Sequence, residues 1–178
     1  MSMNKIFLFL FLAGIGFIVY LYFYLGFTKD VQIEVAARGP LLLLSSPHTG
    51  AYHQIGPAIT KVEAWAKDNN VHCPKSFAEF LDDPDAMDQD RLRSRGGCIL
   101  TSAPTNNTPA DFHFEEREKK KYVVARFLGA PSIGPFKVYP RVREFIQERR
   151  LKRSGPVIET YTVDGPNVTT EFLFPIAD

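Results

Sequence analysis

The 178 residues suit one domain plus an appendage. All but one of the 21 basic side chains, and all 20 acidic ones, lie beyond Phe27. That balance excludes the electrostatic footprint of a nucleic-acid binder, so no nucleic acid is expected as a partner.

Residues 6–27 carry no charge. At helical rise they span about 33 Å, enough for a hydrocarbon core. Tyr20, Tyr22 and Tyr24 cluster where an aromatic belt would lie. A cleaved signal peptide is the rival reading. Its apolar region would be about 7–15 residues and end in small residues, whereas this run is longer and ends in bulky ones. The expectation is a single-pass membrane anchor at 1–29, crossing at about 6–27. Lys5 opposes Lys29 and Arg38, so the positive-inside rule leaves the side of the soluble part open.

Residues 31–35 alternate as a half-buried strand, and 41–44 read as a strand covered on both faces. His48–Tyr52 breaks the pattern. A helix follows, with Pro57 in its first turn, Ile59, Val62 and Ala66 inward and Asn69-Asn70 as its stop. Strands are expected at 77–81 and 98–101, joined through the acidic turn Asp82-Asp83-Pro84-Asp85. Residues 102–120 read as a linker, and the mixed charges from Glu115 to Lys121 as its solvated surface. A strand at 122–127 and a helix from about 137 to 151 come next, with Pro140 tolerable near the first turn. The last strands are 157–163 and 169–175.

The pieces occur twice. Gly50-Ala51 and Ile55-Gly56-Pro57 precede the first helix, as Gly129-Ala130 and Ile133-Gly134-Pro135 precede the second. Each helix leads to a strand, a turn ending in Pro, and another strand. The expected fold is α+β: two strand-helix-strand-strand units, about 30–101 and 121–178, form one antiparallel sheet with both helices on one face. Glu79 and Glu159 look like counterparts in this repeat.

Along the strand at 157–163, Val157, Glu159, Tyr161 and Val163 share a face. One carboxylate among apolar and aromatic neighbours either reaches solvent or lines a cavity, because a buried ionised carboxylate without partners is costly. Tyr52, Tyr139 and Tyr161 are candidates to surround it. His48 and His53 have no recognised ligand spacing, so no metal is expected. No phosphate loop, nucleophile elbow or thioredoxin-type Cys pair is present, and no cofactor is expected. Cys73 and Cys98 either pair or remain buried thiols. Asn106 and Asn167 open glycosylation sequons that bear on function only in a luminal domain.

From Val31 to Ile176 the chain resembles the GyrI-like, or bacterial effector-binding, domains. The resemblance is carried by His48-Thr49-Gly50-Ala51-Tyr52, Ala64-Trp65-Ala66, Leu81-Asp82-Asp83-Pro84, Ala125-Arg126-Phe127-Leu128-Gly129, Gly155–Tyr161 and Thr170–Ile176. It implies a small-molecule pocket between the halves, with Glu159 as the carboxylate that meets cationic aromatic ligands. The resulting expectation is a membrane-tethered binding module for a small, cationic or amphipathic aromatic ligand near Glu159, Tyr52, Tyr139 and Tyr161. Two alternatives remain: a hydrolase of strained electrophiles using Glu159 as its catalytic acid, and a membrane scaffold whose groove takes a protein partner.

Overall fold

The computed structural model describes residues 3–105, 107–165 and 167–177; the sequon asparagine Asn106 lies outside them. The N-terminal apolar run forms α1 (Met3–Tyr24), and none of its residues is buried against the domain. It is long and apolar enough to cross a membrane.

The domain is one eight-stranded antiparallel sheet. Its strands are β1 (Val31–Arg38), β2 (Leu41–Thr49), β3 (Lys75–Phe80), β4 (Arg93–Leu100), β5 (His113–Arg117), β6 (Lys120–Leu128), β7 (Val157–Asp164) and β8 (Asn167–Pro175). Their spatial order is β1-β6-β8-β7-β3-β4-β2-β5. Helix α2 (Gly56–Asp68) packs on β2, β3 and β4, and α3 (Gly134–Glu148) on β1 and β6. β2-α2-β3-β4 and β6-α3-β7-β8 have the same element order, and they meet at the central β3–β7 pair.

Apolar stripes explain the helix positions. Val62 and Ala66 of α2 bury against Leu44 and Cys98, while Val138 and Val142 of α3 bury against Val123, Phe127, Phe172 and Phe174. The helix-free face has its own core, including Leu43, Phe77, Tyr122, Val124, Ile158 and Leu173. No helix covers these residues, so the sheet itself curls over them. A disulfide joins Cys73, just before β3, to Cys98 on β4, with Cα atoms 5.4 Å apart.

Three expectations change. β2 runs on through His48 to Thr49, because β4 pairs with it along that whole length. The segment 102–120 is not all linker, since β5 adds to the edge at β2. Finally, α3 begins at Gly134, which puts Pro140 in the helix interior. Pro140 lacks the N–H that would bond the Phe136 carbonyl.

The register also separates the two glutamates. Ala78, not Glu79, pairs with Glu159. Paired residues on neighbouring strands share a face, so Glu79 projects from the opposite side and is no structural counterpart of Glu159.

Candidate functional site

Gly155 opens β7 with φ 152°, a conformation that L side chains rarely adopt, and so turns the chain into the strand. From there Val157, Glu159 and Tyr161 point to the helix-covered face. Glu159 lies between Phe172 on β8 and Ala78 on β3. Ala78 is small, and Gly96 follows it in the same row on β4. This leaves room for Ile55 and Ile59 of the α2 region to settle onto Gly96.

Glu159 is 4% exposed. Tyr161 Oη donates to its Oε2 at 3.1 Å and Tyr139 Oη to its Oε1 at 3.3 Å. Among the described residues, no ion pair includes it. Burial pushes its carboxyl up to about 7, against the lowering effect of the two hydroxyl donors. Burial also raises both tyrosines, reinforced by the Glu159 charge beside them. Tyr139 packs edge-on to Phe172 and Phe174, which fixes its ring.

Three of the four candidate residues therefore meet. Tyr52 is engaged elsewhere: its hydroxyl donates to the Asp82 carbonyl at 2.7 Å and accepts from the Asp82 N–H at 3.0 Å. Its ring rests on Phe80, with centroids 4.5 Å apart. It makes no hydrogen bond to Glu159.

Tyr139 and Tyr161, the two hydroxyl donors, are themselves only partly buried. A cavity of about 430 Å³ lies at the β2–β4 end and is lined by His48, Thr49, Arg93, Arg95, Phe112 and His113 among others. A smaller one of about 180 Å³ lies beside Gln32, Glu34 and Arg126. Glu159 lines neither.

Glu79 is fully buried in a different setting. Arg117 Nη1 reaches its Oε1 at 2.7 Å, and Arg95 bonds its Oε2. Both arginines also bind Glu115, at 2.8 Å each. Glu115 and Arg117 are thus half-buried members of a four-charge cluster, not solvated surface. The alternation His113, Glu115, Arg117 is the signal that was available, because a two-residue period puts all three on one face of a strand.

Among the described residues, no three His, Cys, Asp or Glu side chains are placed to hold a metal ion.

Comparison with known proteins matches residues 32–177 to the profile of the GyrI-like small molecule binding domain. The chain belongs to the GyrI-like small-molecule-binding domain family. No match was found among curated proteins. Among solved structures, the C-terminal domain of EcmrR is similar at TM-score 0.64 and 14% identity, over 83% of this chain and 98% of that one. EcmrR in a DNA complex is similar at TM-score 0.67 and 12% identity, over 94% of this chain. This GyrI-like chain covers 65% of that longer one. SAV2435 bound to tetraphenylphosphonium gives TM-score 0.49 at 12% identity, over 84% of this chain and 94% of that one. For the two EcmrR structures, at these identities, the likeness is one of fold.

Proposed function

We propose that this GyrI-like chain is a membrane-tethered binding module for a small cationic or amphipathic aromatic ligand, held between the two halves at Glu159. One observation carries the reading. Two glutamates are buried in the sheet; among the described residues, Glu79 has two arginines, whereas Glu159 has only two tyrosine hydroxyls. A buried carboxylate without a cation is costly to ionise, and a cationic ligand would supply the missing charge. Tyr139 and Tyr161 would add cation–π attraction of about 0.5–2 kcal/mol per good contact. The matching element order of the two halves supports reading them as an internal repeat with Glu159 near its pseudo-twofold axis. Because Glu159 itself is buried, uptake requires the tyrosines to swing or the helices to part. The tether is α1, whose length and composition suit a membrane span.

The test is binding of a cationic aromatic dye and a neutral dye of similar shape to the full chain and to Glu159→Gln. The expected result is a loss on the order of tenfold or more for the cation alone; equal loss for both dyes overturns the reading.

A hydrolase is the second reading, favoured by a carboxyl at about 7, which suits a general acid–base group at neutral pH. Turnover of a reactive ester or cyclopropane probe, abolished by Glu159→Gln, would establish it. A stoichiometric partner recovered from membranes, with no dye binding, would favour the scaffold role instead.

A further inference from the structure

The junction between α1 and the domain is not a loose linker. The Leu25 carbonyl accepts a hydrogen bond from the Ala130 N–H at 3.1 Å. Gly26 lies so close to Gly129 that a Cβ on Gly26 would come within 3.0 Å of the Gly129 Cα. Lys137, in the first turns of α3, donates to the Phe27 carbonyl at 2.6 Å and also to that of Lys29. The end of the apolar run is therefore fastened to the β6–α3 turn, and that turn sits at the same depth as residues 25–27.

Register shows what else lies at this end. Leu128, the last residue of β6, pairs with Thr169 of β8, which pairs with Thr162 of β7. Val163 is one residue further along, in the β7–β8 hairpin. Phe136 stands beside Lys137. These apolar side chains are unusually open: Phe136 is 79% exposed, Val163 71% and Leu128 49%. Leu128 shares a face with Thr162 and so leaves the sheet opposite to Val163; what the three residues have in common is this end of the strands, where a layer meeting the sheet end-on touches both faces.

We propose that this rim, formed by Phe136, Leu128 and Val163, rests in the interfacial layer of the bilayer that α1 crosses, so that the domain lies against the membrane in one fixed orientation. The proposal rests on the reading of α1 as a membrane span. If 6–27 fill the hydrocarbon core, then Leu25–Phe27 mark its boundary, and the turn bonded to them is held at the headgroup level. Water is an unfavourable neighbour for Phe136, whereas the headgroup–acyl boundary accepts an aromatic ring readily.

The test uses the full chain in phosphatidylcholine vesicles. Both native cysteines are in the disulfide, so an introduced thiol is the one that takes an environment-sensitive NBD label. Label is placed at Phe136→Cys, at Val163→Cys as an independent second rim site, and at Glu116→Cys on the far edge strand. Lipids carrying a shallow doxyl quencher should lower emission at both rim sites on the order of twofold, and leave the Glu116 site nearly unchanged. Quenching at the rim no greater than at Glu116 overturns the proposal. So does a blue shift at the rim that tracks protein density and not quencher, since a second copy would then cover it. Carbonate washing separates the two readings. A chain that stays in the vesicles with an unquenched rim defeats the rim proposal alone, whereas a chain that washes out defeats the anchor as well.

Discussion

Glu79 and Glu159 lie one position out of register on adjacent central strands, so they leave the sheet in opposite directions. Glu79 pairs with Ile158, and Glu159 with Ala78. One acid is neutralised by Arg95 and Arg117 in the curled face, and the other is left to Tyr139 and Tyr161 under the helices. The same residue type, equally hidden, is held by two guanidinium groups in one place and by two phenol hydroxyls in the other.

Stability should depend on pH through Glu159. The native state keeps its proton up to about pH 7, while the unfolded chain releases it near 4.5. Between those values the native state binds more protons, so its stability falls as pH rises through the window and levels off above it. The total is on the order of 3 kcal/mol. Glu159→Gln should remove the slope and melt higher than wild type at pH 8, with little difference at pH 4.5. Thermal unfolding of the full chain in detergent at both pH values checks this; parallel pH profiles would contradict it.

Glu79→Ala should be far more damaging. It leaves Arg95 and Arg117 with only Glu115 between them, and breaking a buried ion pair from one side costs about 3–5 kcal/mol. Glu34→Ala removes a carboxylate from an exposed pair with Arg38 and should cost less than about 1 kcal/mol. Urea unfolding of the two variants side by side gives the comparison, and similar midpoints would refute the assignment of Glu79.

Two glycine substitutions should diverge. A Cβ on Gly97 would fall on the Leu44 carbonyl oxygen and 2.9 Å from the Ser45 Cα, both backbone of the paired strand. Gly97→Ala should therefore force β2 and β4 apart and yield little folded protein. Gly56, in the first turn of α2, has nothing within 4 Å of such a Cβ, and Gly56→Ala should be neutral or slightly stabilising. Soluble yield and melting temperature in matched preparations test the pair.

The disulfide closes a separation of 25 residues, and removing it should cost about 3 kcal/mol on chain-entropy grounds. Cys73→Ser/Cys98→Ser is expected to melt lower than wild type. Alkylation of the wild-type chain in isolated membranes should add no mass until a reductant is present. Labelling without reductant would show free thiols in the cell.

Much of this was legible from local pattern. The helices at Val62 and Val138 follow from apolar periodicity, and the central strands from alternation around Glu159. Pairing register was not legible, because a two-residue period fixes which side chains share a face but not which strand lies opposite. For that reason the repeat makes Glu79 look like the counterpart of Glu159, although the two lie on opposite sides of the sheet. β5 was hidden by its charges: Glu115 and Arg117 read as solvent-facing until their partners on β3 and β4 are in place. Residue type alone makes Tyr52 a candidate neighbour of Glu159, yet its hydroxyl is held by both backbone groups of Asp82.

Lys137 and Tyr139 stand two residues apart on α3. The first grips the carbonyls at the foot of α1, and the second touches the buried acid. A helix is stiff over so short a distance, so the two contacts move as one lever. A shift of α3 that carried Tyr139 off Glu159 would therefore also draw on the carbonyls of Phe27 and Lys29.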